Sequence, residues 1–176
     1  IQWYHTPTLA SKSKYIDTML AVPMKESADS MISFPDITPD IWAKMLKFLD
    51  NPIAAREMTA KDAVEIVAFY DKYEFSGGRS LCDTILAEYF KSFFTELDTY
   101  FTRTNKVVPD VDFIVASVVL AREANLGKAL DKGINIIWKL LNKTAVPVGR
   151  TMFSVEHMKL LAPLLEETKG SFERDL

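Results

Sequence analysis

The chain has 176 residues, 48% hydrophobic and 26% charged, with one cysteine and a net charge of −3. That size supports one ordinary domain or two small ones with a real core, a lone cysteine excludes a disulfide framework, and mild acidity argues against a dedicated nucleic-acid surface. No apolar run approaches the ~20 residues of a membrane span and no signal-peptide pattern is visible, which points to the cytoplasm or nucleus.

The first residue is Ile1, not Met, so the chain reads as a fragment whose start is not in view. Ile1-Gln2-Trp3-Tyr4-His5 is aromatic and reads as a strand in need of a partner. A helix is predicted from about Thr8 to Leu20, with Leu9, Ile16, Met19 and Leu20 on one face, broken by Ala21-Val22-Pro23. Met31-Ile32-Ser33-Phe34 reads as a second short strand, ended by Pro35-Asp36. Thr38-Pro39-Asp40 is a helix start. Its helix should reach Asp50, burying Ile41, Met45, Leu46 and Leu49, until Asn51-Pro52 stops it.

Thr59-x-x-Asp62 resembles a capping box, opening a helix through Tyr73 with Ala63, Ile66, Val67 and Tyr70 aligned. Ser76-Gly77-Gly78 reads as a turn before a helix carrying Leu81, Ile85, Leu86 and Tyr89. Thr95 to Pro109 is the best internal boundary. Asp110 caps a helix with Ile114, Val115, Val118 and Ala121, and Asn125-Leu126-Gly127 is a turn. Leu130, Ile134, Ile137, Trp138 and Leu141 mark the next helix, and Ser154 caps a last one bearing Met158, Leu161 and Leu165. The tail from Lys169 is polar and frayed. No internal repeat is visible.

Signals for catalysis or metal binding are poor. His5 and His157 are far apart and no His/Cys/carboxylate cluster has metal-ligand spacing. No phosphate, dinucleotide or nucleophile-elbow motif is present, so neither an enzyme nor a cofactor is expected. Cys82 reads as a small core residue. His5 reads as a junction lock. Ser76-Gly77-Gly78-Arg79-Ser80 could offer an anion a helix N-terminus, but serves first as turn and cap. Tyr89, Phe90, Phe93, Phe94, Tyr100 and Phe101 form an aromatic cluster that reads as internal packing or, less simply, a partner-facing groove.

Several of these residues fall into a known order. His5-x-x-x-Leu9-Ala10-x-x-Ser13-x-Tyr15-Ile16-x-x-Met19-Leu20 resembles the signature of the BTB/POZ domain. Ile32-x-Phe34-Pro35-Asp36-Ile37-Thr38-Pro39, the helix with Ile41, Met45, Leu46, Phe48 and Leu49, and Ile66 to Phe75 resemble the family's following elements. Ala121-x-x-Ala124-Asn125-Leu126, Ile134 to Trp138 and Phe153 to Leu165 are similar to the helical BACK domain. The resemblance implies an α+β fold: a BTB/POZ domain over 1–94 lacking its first strand, a connector over 95–109, a truncated all-α BACK-like region over 110–168 and a tail over 169–176.

Such proteins are protein–protein interaction modules, many of them adaptors linking substrates to cullin-3 ubiquitin ligases, so the resemblance implies cullin-3 as partner. The substrate is unknown, because a domain outside this chain chooses it. Met24-Lys25-Glu26 lies where adaptors carry a hydrophobic-x-glutamate motif, an apolar anchor beside a carboxylate. The helix end Phe48-Leu49-Asp50 completes that surface, with Asp50 where adaptors usually have tyrosine. The alternative is a homodimerisation scaffold that does not bind cullin.

Overall fold

The computed structural model describes residues 6–22, 32, 34–102, 110–144 and 153–172, with side chains described for most of them. Two compact units emerge, Ile1–Ile85 and Leu86–Leu176. Every regular element among the described residues is a helix.

In the first unit, α1 (Thr6–Ala10) and α2 (Lys14–Ala21) replace the single helix predicted over Thr8–Leu20. Ser13 makes the break. Its hydroxyl accepts the Ile16 N–H as the α2 cap and donates to the Tyr73 carbonyl at 2.6 Å, an arrangement incompatible with continuous helix. Next, α3 (Pro39–Asp50) starts at Thr38 with Pro39 in its first turn, as the sequence predicts. Asn51 then does more than stop it. Its side chain accepts from the Ile53 and Ala54 N–H groups and caps the unforeseen α4 (Pro52–Arg56). The capping box holds at α5 (Ala60–Lys72): Thr59 Oγ1 accepts from Asp62 N–H, and the Asp62 carboxylate accepts from Thr59 N–H at 3.0 Å.

The long α6 (Ser76–Thr102) overturns the turn predicted at Ser76-Gly77-Gly78, which is its first turn, and runs through the Thr95–Thr102 part of the expected boundary. The division between the compact units falls inside it. The second unit continues with α7 (Val111–Glu123), capped by Asp110, then α8 (Gly127–Thr144) and α9 (Val155–Phe172), capped by Ser154. α9 continues to Phe172, beyond the Lys169 start of the expected tail.

The α+β expectation is therefore corrected to an all-α fold among the described residues, and with it the BTB/POZ resemblance, which requires a sheet. Ile1–His5 lie outside the described residues, as do Met31 and Ser33, and Ile32 and Phe34 are irregular. At Phe34 the backbone is used by a turn, its carbonyl accepting from Ile37 N–H at 3.2 Å. Its ring stacks on Trp42 and meets the edge of Tyr73, with centroids 4.8 and 4.9 Å away. Phe34 is thus an aromatic anchor at the mouth of a turn and not a strand residue.

The same helix corner is built twice, which the sequence reading missed. α5 and α7 are each 13 residues long and each begins at a capping side chain, Thr59 or Asp110. Each ends in a residue at positive φ, Glu74 at 53° and Asn125 at 52°. The next residue donates its N–H back five positions, Phe75 to Tyr70 at 2.8 Å and Leu126 to Ala121 at 2.7 Å. Glu74 N–H bonds the Asp71 carbonyl, as Asn125 N–H bonds that of Arg122. These are paired Schellman motifs, with apolar Phe75 and Leu126 buried just beyond each cap. The offset of 51 residues between Thr59 and Asp110 also aligns the buried positions Ala63 with Ile114, Val67 with Val118, and Tyr70 with Ala121. Gly78 and Cys82 align with Ala129 and Gly133 in the same way.

The two cores are filled differently. In the first corner Tyr70 is fully buried and its hydroxyl donates to the Met45 carbonyl at 2.7 Å. Its ring leaves no room on α6: a Cβ on Gly78 would fall 2.5 Å from it. In the second corner both positions are alanine, and the tight contact moves one turn along, where a Cβ on Gly133 would meet Val118 at 2.5 Å and Phe90 at 3.1 Å.

Candidate functional site

Of the residues singled out for partner binding, Met24, Lys25 and Glu26 lie outside the described residues. Phe48 is buried in the first unit's core. Asp50 is held by the Lys12 ammonium, which also donates to the Leu49 carbonyl at 3.1 Å. Burial raises the Asp50 carboxyl above the ordinary carboxylate value. The structure thus brings Phe48 and Asp50 to one helix end, one as packing and the other as a tie to the α1–α2 break.

Beside that tie, the first unit carries an open cleft of about 630 Å³. The α1–α2 break, the end of α5 and the start of α6 form its walls. Lys12, Lys14 and Arg79 face Asp17, Asp71 and Glu74, so the cleft has no net sign to select an ion. Lys12 is paired with Asp50, and Arg79 with Asp71 at 3.1 Å. Ser13 is spent on capping. Nearby, Asp36 accepts from Lys72 and Tyr73, and these two bonds hold its carboxyl below the usual range. These groups position helices rather than await a substrate. Cys82 is fully buried and burial pushes its thiol up to about 12, which suits packing and not nucleophilic attack. Among the described residues no group of three or more His, Cys, Asp or Glu could hold a metal, and no helix is long and apolar enough to cross a membrane.

In the second unit His157 meets Ser154 and Asp112, residue types that suggest a hydrolytic triad. The geometry says otherwise. Ser154 Oγ accepts the His157 backbone N–H, while His157 Nδ1 accepts the Ser154 N–H at 3.3 Å. This is a capping box with histidine in the usual glutamate position. The remaining nitrogen, Nε2, faces Asp112 Oδ1 at 2.8 Å and ties α9 to the first turn of α7. Arg122 and Glu167 make a second tie between the same helices.

Of the aromatic cluster's described side chains, Tyr89 and Phe93 are half-buried and Phe94 is exposed, while those of Tyr100 and Phe101 lie outside the described side chains. Phe90 is fully buried, Tyr89 meets Phe113 edge-on at 5.5 Å, and the Lys139 ammonium sits 3.8 Å from the Phe94 ring centroid. Of the exposed large apolar side chains, three fall together on α9, while Tyr15, Val22, Ile53 and Phe94 lie elsewhere. Leu161 and Leu164 are buried, yet Val155 is 72% exposed, Met158 36% and Leu160 52%. Of the residues that mark this helix in the sequence, Leu161 is buried, Leu165 half-buried and Met158 exposed. The signal was available: α9 has apolar residues around more than half its circumference, more than one core-facing stripe needs.

No family model, curated protein or solved structure matches the chain, so the BTB-BACK resemblance gains no support from relatives.

Proposed function

We propose that this chain is a protein–protein interaction module whose second unit presents α9 to a partner. The observation carrying this reading is the apolar ridge of Val155, Met158 and Ala162, at spacings of three and four residues, exposed among the described residues. Contiguous exposed apolar surface on a folded domain is where partners dock. The adaptor role toward cullin-3 is a narrower form of the proposal and depends on Met24-Lys25-Glu26.

Pull-down with a cullin-3 amino-terminal domain tests that narrower form, with Met24→Ala/Glu26→Ala expected to weaken binding at least about tenfold. The general reading is tested by affinity capture with the full chain beside Val155→Asp/Met158→Asp. Partners held by the parent and lost by the variant support it. An identical set on both removes α9 from the reading.

A further inference from the structure

We propose that the exposed ridge of α9 seats an amphipathic helix of a partner protein whose apolar stripe is edged by lysine or arginine. This rests on the protein-binding reading above and adds the chemistry of the partner.

Shape argues for a helix. Val155, Met158 and Ala162 form a straight ridge, extended by half-buried Leu165, and ridges of this spacing pack into the grooves of another helix. Proline adds a directional feature. Pro163 lies inside α9 and has no N–H, so the Lys159 carbonyl loses its α-helical donor. A cationic side chain from a helix seated on α9 would supply that carbonyl with a donor.

Charge argues for a basic edge. On α7, its cap and α9, the described exposed side chains include Asp110, Asp112, Glu123, Glu156, Glu166 and Glu167, against only Arg122 and Lys159. With Lys169 counted, α7, its cap and α9 carry a net charge of −3, as much as the whole chain. Both described cations are already engaged, Arg122 with Glu167 and Lys159 with Glu156 at 2.8 Å. Glu166 follows Ala162 by four residues and stands at the end of the ridge. A surface of this kind attracts a cationic partner and repels nucleic acid, anionic lipid and a second copy of itself.

The test uses fluorescence anisotropy on the full chain with two designed amphipathic helices of roughly 18 residues. They share one leucine stripe and differ only in lysine or glutamate edges. The lysine-edged probe should bind at least about tenfold tighter, a difference that shrinks as salt screens it. Val155→Asp/Met158→Asp should abolish that binding, and Glu166→Lys should weaken it about threefold. Equal or tighter binding of the glutamate-edged probe overturns the inference and leaves the protein-binding reading standing. Undiminished binding to the double variant overturns the assignment to α9. If neither probe binds and light scattering shows a dimer that the double variant dissolves, the occupant is a second copy and the inference fails. If neither probe binds and affinity capture is also negative, both readings fall.

Discussion

The α5–α6 and α7–α8 corners share caps, helix length, a Schellman link and burial register, yet solve the same packing problem with different residues. The first places a large ring, Tyr70, against a glycine, Gly78. The second places Ala121 and Ala129 at those positions and lets helices approach around Gly133. Burial pattern, not residue identity, is what repeats. Volume can move between facing positions so long as the total filling the gap is kept. The links differ too. Asparagine visits left-handed backbone readily, whereas glutamate at φ 53° is held there by its surroundings.

The sharpest way to break the parallel is to remove the ring. Tyr70→Ala should cost about 3–5 kcal/mol in urea unfolding, since it opens a cavity and deletes the bond to the Met45 carbonyl. Gly78→Ala should cost about 1–3 kcal/mol by driving a methyl into that ring. The same change in a Tyr70→Ala background should turn neutral or favourable, because it then recreates the alanine pair of the second corner and gains helix propensity. Additive costs in that cycle would show that the corners are not equivalent.

Smaller effects sharpen the comparison at the ends of the helices. Thr59→Ala should cost about 1 kcal/mol through loss of the capping box. Glu74→Gly should stabilise by about 0.5–1 kcal/mol and Asn125→Gly by only a few tenths, both read as shifts in the urea midpoint.

Acid gives a further contrast. Burial opposes ionisation of Asp62, but its bonds to Thr59 and Lys44 prevail and leave its carboxyl below the usual value. A lowered folded-state value means the contribution is full above the ordinary carboxylate value of about 4 and is lost as pH falls through the folded one. The urea midpoint should therefore drop below about pH 4, and Asp62→Asn should flatten that drop. Asp36, held down by Lys72 and Tyr73, accounts for part of the remainder.

Much of the helix content was legible because caps and periodicity are local. Thr38, Thr59, Asp110 and Ser154 each name their helix start within four residues. The strand expected over Met31–Phe34 does not hold at Phe34, where one aromatic anchors a turn, while Met31 and Ser33 lie outside the described residues. The glycine pair misled for the converse reason: Gly78 is glycine because a ring lies against it, a tertiary fact with no local signature. The repeat was hidden because a tyrosine–glycine pair and an alanine pair look unrelated until their burial is seen. As for the site, Phe48 and Asp50 were conspicuous in sequence but are used in packing and pairing, while the α9 ridge was present as an excess of apolar residues on one helix.

The chain's lone cysteine gives one of the corners its own reporter. Cys82 is buried where α6 leaves the first corner and aligns with Gly133 in the second. A thiol reagent can reach it only when the packing around it opens, so its labelling rate times that opening.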